Sequence, residues 1–368
     1  MKILITGSDG FIAKNLTFKL REMGYLDLCF ITRKSSEEEI KKCIAKADFI
    51  LHLAGVNRSE NEDEFIDCNI GLTKVIIDVL IESGRKVPLV FSSSTQAGLD
   101  NPYGRSKEAA EEIALSYMER LDVPVYIFRL PNVFGKWSKP NYNSVISTFC
   151  FNTANDLPIK IHDPESELKL VYIDDVCEAF IALLGSKERG GYKRVEIDYE
   201  TTVGAVAEII KSFKSSRETL IVEDVGLGLI RALYSTYLSY FDTSNFSYCV
   251  SSYEDPRGIF VEMLKTRSAG QISFFTAHPG VTRGGHYHHS KNEKFLIIKG
   301  RAKFRFKHID TGDKFELISK DSEYRIVETI PGWAHDITNI GNDELIVMLW
   351  SNEIFDRNKP DTISESLI

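Results

Sequence analysis

The sequence lacks an uninterrupted apolar run of about 18 residues, the length that a membrane-spanning helix needs. Its start, MKILITG, is a short apolar strand running into a glycine turn, without the longer apolar run and small-residue cleavage site of a signal peptide. We therefore expect a cytoplasmic protein with no membrane span. The net charge of −8 also argues against nucleic acid as a general partner, because phosphate binding needs a basic surface.

The cysteines form no CxxC pair, and the chain has no internal repeat, no low-complexity tract and no Pro/Gly-rich linker. Six cysteines are scattered along it: Cys29, Cys43, Cys68, Cys150, Cys177 and Cys249. This scatter favours reduced thiols over a disulfide framework.

A length of 368 residues favours two domains, and 43% hydrophobic with 27% charged residues suits a globular core. The first 185 residues alternate apolar strands with helical patterns, which is typical of an α/β Rossmann fold with a covered parallel sheet. The predicted strands are Lys2–Thr6, Leu28–Thr32, Phe49–Leu53, Leu89–Ser92 and Val125–Arg129, and the predicted helices are Asn15–Gly24, Asp63–Gly84 and Tyr103–Leu121.

From about residue 250 the pattern changes to short strands between Gly, Asp, Asn and Pro turns, which predicts an all-β barrel or sandwich. These strands are Gln271–Thr276, Lys294–Ile298, Ala302–Lys307, Tyr324–Val327 and Leu345–Leu349. The aromatic-rich stretch Thr219–Tyr248 is interpreted as a packed connector. We place the domain boundary between residues 245 and 246.

A glycine loop follows the first strand and opens a helix, the context in which a helix N-terminus and bare backbone amides hold a pyrophosphate. We expect cofactor contacts from this loop and from the end of the third strand: Gly7, Asp9, Gly10, Phe11, Ile12, Leu53, Ala54 and Gly55. A plain tight turn is the alternative. Arg33, after the second strand, suits the 2′-phosphate of NADPH, with Lys34 assisting, although surface arginines and lysines are common.

Tyr103 and Lys107 are four residues apart, on one helix face, and Ser94 lies upstream at the end of the fourth strand. Together they can reduce a carbonyl. Lys107 lowers the tyrosine pKa and can hold the nicotinamide ribose, Tyr103 gives a proton to the developing alkoxide, and Ser94 hydrogen-bonds the carbonyl oxygen.

With these motifs in order, the first 245 or so residues resemble the extended short-chain dehydrogenase/reductase family, the branch acting on nucleotide sugars. RLPNVFG (129–135) and YIDDV (172–176) add to the match, and the resemblance places Asn132 on the substrate side of the cleft. Sugar 4,6-dehydratases of the family carry an Asp-Glu pair where this chain has Thr95 and Gln96. The resemblance therefore implies reduction or epimerisation and not water elimination.

Six of the eight histidines lie between residues 278 and 335. His286 and His288 share one strand face, Glu293 follows, and His335 returns from a distant strand. This set can hold Zn, Fe, Mn or Ni, the alternative being exposed or satisfied core histidines. His289 is expected to be exposed or to lie behind the ligands, and His278 and His308 to be structural.

The spacing from Gly280 to Gly300 resembles the first cupin motif, and Gly332, His335 and Asn339 resemble the second, with Ile330 where proline is expected. Oxygenases share this ligand set. The segment from Asp255 to Glu262 instead resembles the entry strand of cupin nucleotide-sugar epimerases, which implies that Arg257 anchors the sugar nucleotide. His289, Lys291 and Lys294 are acid–base candidates by proximity alone.

Both halves in this order, with the segment KPNYNSVISTFC (139–150), resemble the bifunctional capsular-polysaccharide enzymes of UDP-N-acetyl-L-fucosamine synthesis. The resemblance implies C3 epimerisation of UDP-2-acetamido-2,6-dideoxy-4-hexulose in a cupin domain and reduction at C4 by NADPH. The product would be a UDP-2-acetamido-2,6-dideoxy-L-talose derivative, with zinc bound and a homodimer formed.

Two other functions remain open on the sequence. In one, the cupin is a non-catalytic dimerisation or ligand-binding module beside a one-step reductase. In the other, tightly held NAD serves a redox-neutral 4-epimerase, against which Arg33 and the second domain argue.

Overall fold

The protein is described from a computed structural model over residues 1–59, 61–250, 252–255, 258–261, 264–266, 270–353 and 358–367. Arg257, the expected anchor of the sugar nucleotide, lies outside these residues. Within them, no helix combines the length and the apolar character needed to cross a bilayer.

Helices dominate the first part of the chain and strands the last. The α-helices are α1 (Phe11–Glu22), α2 (Glu37–Lys46), α3 (Glu62–Phe65), α4 (Leu72–Ser83), α5 (Pro102–Leu121), α6 (Val145–Ala154), α7 (Ile173–Ile181), α8 (Val203–Thr219) and α9 (Gly228–Leu238). A π-helical segment spans Ile66–Gly71, and 3₁₀ turns span Thr243–Phe246 and Asp321–Glu323.

The strands before residue 250 are β1 (Ile3–Thr6), β2 (Leu28–Ile31), β3 (Phe49–His52), β4 (Leu89–Ser94), β5 (Val125–Leu130), β6 (Asn132–Phe134), β7 (Glu167–Tyr172), β8 (Gly191–Lys193), β9 (Tyr199–Thr202), β10 (Ile221–Val222) and β11 (Ser247–Cys249). Those after it are β12 (Ser252–Asp255), β13 (Gly258–Val261), β14 (Lys265–Thr266), β15 (Gln271–Ala277), β16 (Thr282–Tyr287), β17 (Glu293–Lys299), β18 (Arg301–His308), β19 (Lys314–Lys320), β20 (Arg325–Glu328), β21 (Trp333–Asn339), β22 (Leu345–Ser351) and β23 (Ile363–Ser364).

The chain forms two compact units. The first unit comprises residues 1–134 and 168–200, and the second comprises residues 135–167 and 201–368. Residues 201–245, which the sequence analysis groups with the reductase, thus lie in the same unit as the C-terminal strands. The functional boundary after residue 245 stays a prediction.

The first unit is built on a parallel sheet in the order β2-β1-β3-β4-β5-β8, which confirms the predicted Rossmann-like architecture. All residues of β1 and β3 are buried, as expected of strands covered on both faces. The chain leaves β1 toward β2 on one side and returns to β3 on the other. Ligands of such sheets bind at this reversal, outside the carboxyl ends of the two central strands.

A disulfide joins Cys29 on β2 to Cys43 on α2, with Cα atoms 6.2 Å apart. The expectation of reduced thiols is therefore wrong for this pair. Helix α2 packs back on β2 after a short connection, so cysteines 14 residues apart in sequence come within bridging distance. Cys68, Cys150 and Cys177 are not part of this disulfide.

The second unit carries two antiparallel sheets, β11-β20-β17-β22-β15 and β19-β18-β21-β16-β23. Their facing sides share an aromatic core, in which Phe295 of β17 lies 5.8 Å from Phe304 of β18 and 6.1 Å from the His335 ring, measured between centroids. The prediction of a C-terminal β domain is therefore confirmed.

The stretch between the helical and strand regions is packed, as its aromatic content predicts. Tyr234 and Tyr237 of α9 are buried and lie 5.0 and 5.8 Å from the Phe213 ring on α8. The first contact is edge-on and the second is tilted, and such aromatic pairs bury large apolar surfaces, so the connector adds to the core of the second unit.

Candidate functional site

The glycine loop after β1 is shaped for a close backbone approach. Gly7 has φ +66°, and a Cβ there would lie 2.7 Å from the Cα of Ala54 at the end of β3. A Cβ on Gly10 would lie 2.9 Å from the Gly7 carbonyl oxygen. Both positions therefore need glycine, and the loop lies at the reversal of the sheet where a nucleotide is expected.

Helix α1 begins directly behind this loop and offers an anion site. Gly10 is its N-cap and supplies no side-chain acceptor, so the amides that open the helix at Phe11 and Ile12 are not capped by it. Asp9 is exposed beside them. Uncapped first-turn amides and the helix dipole suit a pyrophosphate, as the sequence predicts.

Arg33 lies just beyond β2 with 73% of its side chain exposed. Its Nη1 lies 3.3 Å from Glu64 Oε1. Exposed ion pairs contribute little, so an anion of higher charge can displace the glutamate. The position and freedom of Arg33 suit a 2′-phosphate, and neighbouring Lys34 is exposed as well.

A buried hydrogen-bond chain fixes the end of β3, including the predicted cofactor residues Leu53 and Ala54. Their amides both donate to Thr6 Oγ1 at 3.1 Å, and this hydroxyl lies 2.7 Å from His52 Nδ1. Having accepted two amides, the Thr6 hydroxyl donates to Nδ1, which leaves the proton of the neutral ring on Nε2. Burial, with Lys107 nearby, lowers the pKa of His52 to about 3 and keeps the ring neutral.

The same hydrogen-bond chain continues to Asn69, a residue that no sequence motif predicts. His52 Nε2 lies 2.8 Å from Thr73 Oγ1, which in turn donates to the Asn69 carbonyl oxygen. Asn69 belongs to the π-helical segment, and its side chain accepts from the Val56 amide at 2.8 Å and donates to Ser106 Oγ at 2.9 Å. A wide helical turn of this kind often marks a functional site, and here it ties β3 to the catalytic helix.

The predicted catalytic residues Ser94 and Tyr103 come together. Ser94 ends β4, and its hydroxyl lies near the Tyr103 side chain. Burial raises the pKa of Tyr103 and Ser94 partly offsets the rise, so the phenol stays protonated near neutral pH. The helix can start this close to the strand because Gly104 has no side chain: a Cβ would lie 2.4 Å from the Gln96 carbonyl oxygen.

Lys107 is buried on the same helix. Its Nζ donates to the Ser92 carbonyl oxygen at 2.8 Å, and a Cβ on Gly55 would lie 3.2 Å from it. Burial lowers the pKa of Lys107 to about 8, opposed by the charge of Glu111. The causes of the Tyr103 shift are burial and Ser94, so the predicted effect of Lys107 on the tyrosine stays a prediction.

A cavity of about 570 Å³ lies against β5, the strand that follows the predicted catalytic residue Ser94. Its lining includes four basic side chains and the residue after Ser94: Arg129, Lys169, Lys193, Arg194 and Thr95. Asn132, the predicted substrate residue, is exposed nearby and donates to the Lys169 carbonyl oxygen at 3.2 Å. Asp198 also lines this cavity and lies 3.8 Å from Lys169, so its basic side chains outnumber its acidic ones by four to one, which suits an anionic substrate.

The four predicted metal ligands His286, His288, Glu293 and His335 also meet. Their ligand atoms all lie within 4.8 Å of one another. His286 and His335 pair across β16 and β21, next to a bulge that glycine permits, because Gly284 has φ +99° and a Cβ there would lie 2.9 Å from the His335 carbonyl oxygen. His288, His335 and Glu293 are buried.

The polar atoms of this cluster face one another in a way that calls for a cation. Glu293 Oε2 lies 3.4 Å from Nε2 of His288 and 3.4 Å from Nε2 of His335. Nδ1 of His288 is hydrogen-bonded to the Asp361 carbonyl oxygen, which can only accept, so a neutral His288 presents a lone pair at Nε2. Burial, with its histidine neighbours, lowers the pKa of His286 to about 3, which leaves it neutral. The donor set therefore fits a divalent metal ion.

Of the three predicted acid–base candidates near this cluster, strand alternation directs one away from it. Lys294 follows Glu293 on β17, so its side chain points to the opposite face of the strand, where it pairs with Glu328. Burial alone would lower the pKa of the Lys294 amine, but the negative charge of Glu328 outweighs this effect and the pKa is raised. Lys294 is therefore not a proton-transfer candidate. Lys291 stays one, because its Nζ lies 3.1 Å from Glu293 Oε1, and buried His289 follows the ligand His288.

His278 and His308 lie outside the cluster, as predicted. His278 is exposed. His308 Nδ1 accepts backbone amides of Asp310 and Thr311, and its ring lies 5.1 Å from Trp333. This is a structural arrangement of a turn.

Comparisons with known proteins bear on both units. Residues 3–197 match the NAD dependent epimerase/dehydratase family, and residues 253–363 match the polysaccharide biosynthesis C-terminal domain. The chain is 52% identical to a UDP-2-acetamido-2,6-beta-L-arabino-hexul-4-ose reductase of Pseudomonas aeruginosa, over 100% of this chain and 99% of the relative.

Solved structures agree with the fold. The crystal structure of the capsular polysaccharide assembling protein CapF from Staphylococcus aureus matches with a TM-score of 0.68 at 38% identity, over 100% of both chains. A UDP-glucose 4-epimerase of Thermus thermophilus with NAD matches 58% of this chain and 84% of its own at 19% identity, with a TM-score of 0.52, which supports the fold alone.

Proposed function

Because the chain belongs to the NAD-dependent epimerase/dehydratase family and is of the CapF type, with a polysaccharide biosynthesis C-terminal domain, we propose that it carries out two consecutive steps on one nucleotide sugar. It is an enzyme that reduces a UDP-4-keto sugar. The proposal adds that the C-terminal β domain, as a cupin, first epimerises C3 of UDP-2-acetamido-2,6-dideoxy-4-hexulose. Reduction at C4 then gives the UDP-2-acetamido-2,6-dideoxy-L-talose product.

The reductase half rests on the Ser94, Tyr103 and Lys107 set. NADPH, when bound, supplies the hydride. Ser94 Oγ orients the C4 carbonyl, and Tyr103, protonated because it is buried, gives its proton to the oxygen as negative charge develops. Lys107, held by the Ser92 carbonyl, is placed to hold the nicotinamide ribose. The basic cavity beside Thr95 would take the UDP-sugar, with Asn132 at its border.

The epimerase half rests on one observation, the buried cluster of three imidazoles and a carboxylate. A divalent ion, proposed to be zinc, would supply positive charge that acidifies the proton beside a ketone. His286, His288, Glu293 and His335 would hold it. The proton at C3 would leave and return on the opposite face, with Lys291 and His289 as the candidate carriers.

The choice of NADPH rests on Arg33, and a single substitution tests it. Arg33→Ala should raise the KM for NADPH about 10- to 100-fold, because a charge-assisted pair contributes roughly 1.5–3 kcal/mol, and should leave the KM for NADH unchanged. Steady-state kinetics with both cofactors measures this. Glu64→Gln, which removes the charged partner of Arg33 and keeps an oxygen that can accept from the Ser59 hydroxyl, should not weaken NADPH binding. An equal change for both cofactors would contradict the assignment.

Solvent-deuterium incorporation tests the two-step proposal as a whole. With a UDP-4-keto-6-deoxy sugar in deuterium oxide and without NADPH, the full chain should place deuterium at C3, detected by mass spectrometry and NMR. Adding NADPH should consume one equivalent and stop further exchange, since reduction removes the ketone that acidifies the proton. If no deuterium entered C3 while NADPH was still oxidised, the epimerase step would be refuted and only the reductase activity would stand.

That outcome describes the rival function, a one-step reductase with a non-catalytic β domain that binds ligand or a second copy. The Pseudomonas relative is named for reduction alone, which favours this function. The two proposals differ at C3. The rival predicts a product that keeps the C3 configuration of the substrate.

A further inference from the structure

The C-terminal tail, residues 358–367, runs along the proposed metal site. Ile363 and Ser364 form β23, whose register pairs Ser364 with His286. The Glu365 amide donates to the Gly285 carbonyl oxygen at 2.9 Å. One ligand strand is therefore held on its free edge by the last residues of the chain.

Asp361 makes the most specific contacts of this tail. Asp361 is half-buried, and its carboxylate accepts three consecutive backbone amides, those of His289, Ser290 and Lys291, at 2.7–2.8 Å. The Ser290 hydroxyl donates to the same carboxylate at 3.1 Å. These three residues form the turn between the ligands His288 and Glu293, so one side chain fixes the turn that separates them.

The backbone of Asp361 acts on a ligand directly. Its carbonyl oxygen accepts from His288 Nδ1 at 2.5 Å. A histidine that donates one ring N–H to a carbonyl has a fixed tautomer, so its other nitrogen presents a lone pair. Because the Asp361 carboxylate is bonded to the turn, it fixes the position of the Asp361 carbonyl. The side chain and the backbone of Asp361 therefore both contact the segment that carries His288 and Glu293.

The far end of the tail is anchored independently. Lys307 Nζ lies 2.8 Å from Glu365 Oε1, and Leu367 is buried against Tyr287 and Ala334. These contacts hold the tail without touching the ligand atoms. They provide a control position on the same segment.

From these contacts, and resting on the metal site of the proposed function, we propose that Asp361 is a positioning residue for the metal: it sets the tautomer and orientation of His288 and the geometry of the turn before Glu293. The tail is thus part of the metal centre. Metal binding and tail docking are thermodynamically coupled.

The zinc affinity of the full chain tests this coupling. The protein is first stripped of metal with a chelator and is then titrated with zinc in competition with a chromogenic chelator. Asp361→Asn should weaken zinc about 10- to 100-fold, the usual cost of losing a partner behind a ligand, and should alter the visible spectrum of the cobalt-substituted chain. Glu365→Gln, which removes only a partly exposed ion pair of the same tail, should change zinc affinity by less than about 5-fold. Unchanged affinity and spectrum in Asp361→Asn would overturn the proposal.

A second measurement needs no variant and covers the case in which Asp361→Asn does not fold. Amide hydrogen exchange of the unchanged chain with and without zinc should show protection rising both in residues 286–293 and in residues 358–367. Protection confined to the ligand loop would overturn the coupling. Failure of the unchanged chain to bind zinc at all would instead refute the metal site of the proposed function.

Discussion

A Tyr103→Phe variant is expected to lose NADPH-dependent ketone reduction by about 100- to 10,000-fold and to keep solvent exchange at C3. The phenol is the proton donor of the proposed reduction, and burial keeps it protonated. The phenylalanine ring preserves the contact with Phe65, whose centroid lies 6.0 Å away, so the helix should keep its position. NADPH oxidation followed by absorbance, and deuterium uptake measured on the same preparation, give the two readouts.

Tyr117→Phe is a matched control on the same helix. The Tyr117 hydroxyl is buried, accepts from the Val87 amide at 2.9 Å, and serves the fold and not the site. Its removal should cost about 1–3 kcal/mol of unfolding free energy, the penalty of unsatisfied buried groups, with turnover retained. Comparable turnover of Tyr103→Phe and the unchanged chain would refute Tyr103 as the proton donor. Loss of exchange in Tyr103→Phe would mean that the two proposed steps share this residue.

Local patterns predict most of the fold because burial on a strand or helix leaves a direct trace in sequence. All ten predicted strands are present with ends within two residues, since continuous apolar runs and period-two alternation have few other solutions. Helix α2 was missed although its signal is present: Ser36 and Glu39 form a reciprocal capping box at its start. Helix α1 begins at Phe11, four residues before the predicted Asn15, because the glycine turn leads straight into it at Gly10, the N-cap position.

Some of the site residues can likewise be predicted from local sequence patterns, and others cannot. Ser94, Tyr103, Lys107 and the four-residue histidine–glutamate cluster follow from spacing, because spacing on a helix or strand fixes which side chains share a face. Asn69 and Asp361 do not, since each reaches its partner through tertiary structure: Asp361 bonds His288 across 73 residues. Lys294 was a candidate by proximity alone, and strand alternation places it opposite Glu293.

Replacing His335 by glutamine should lower zinc affinity by more than about 100-fold, because a lost ligand costs at least as much as a lost partner behind one. Solvent exchange at C3 should disappear with the metal. NADPH oxidation on a substrate already inverted at C3 should remain, because Ser94, Tyr103 and Lys107 lie in the other unit. Chelator treatment of the unchanged chain should likewise abolish exchange at C3 and leave NADPH oxidation intact. Added zinc should restore exchange in the unchanged chain but not in His335→Gln.

His308→Gln supplies the control for this experiment. His308 lies on β18, in the same sheet as His335, and its ring packs on Trp333, but its Nδ1 accepts turn amides and the residue does not belong to the four-residue cluster. It should keep both metal and exchange, which separates ligand loss from general damage to the sheet. If His335→Gln and chelation both removed the metal and exchange at C3 persisted, the cluster would be structural, and the proton transfer would have to occur beside Tyr103. If the metal-loaded unchanged chain also showed no solvent exchange at C3, the one-step reductase would be the remaining function, because reduction alone needs only the nucleotide site.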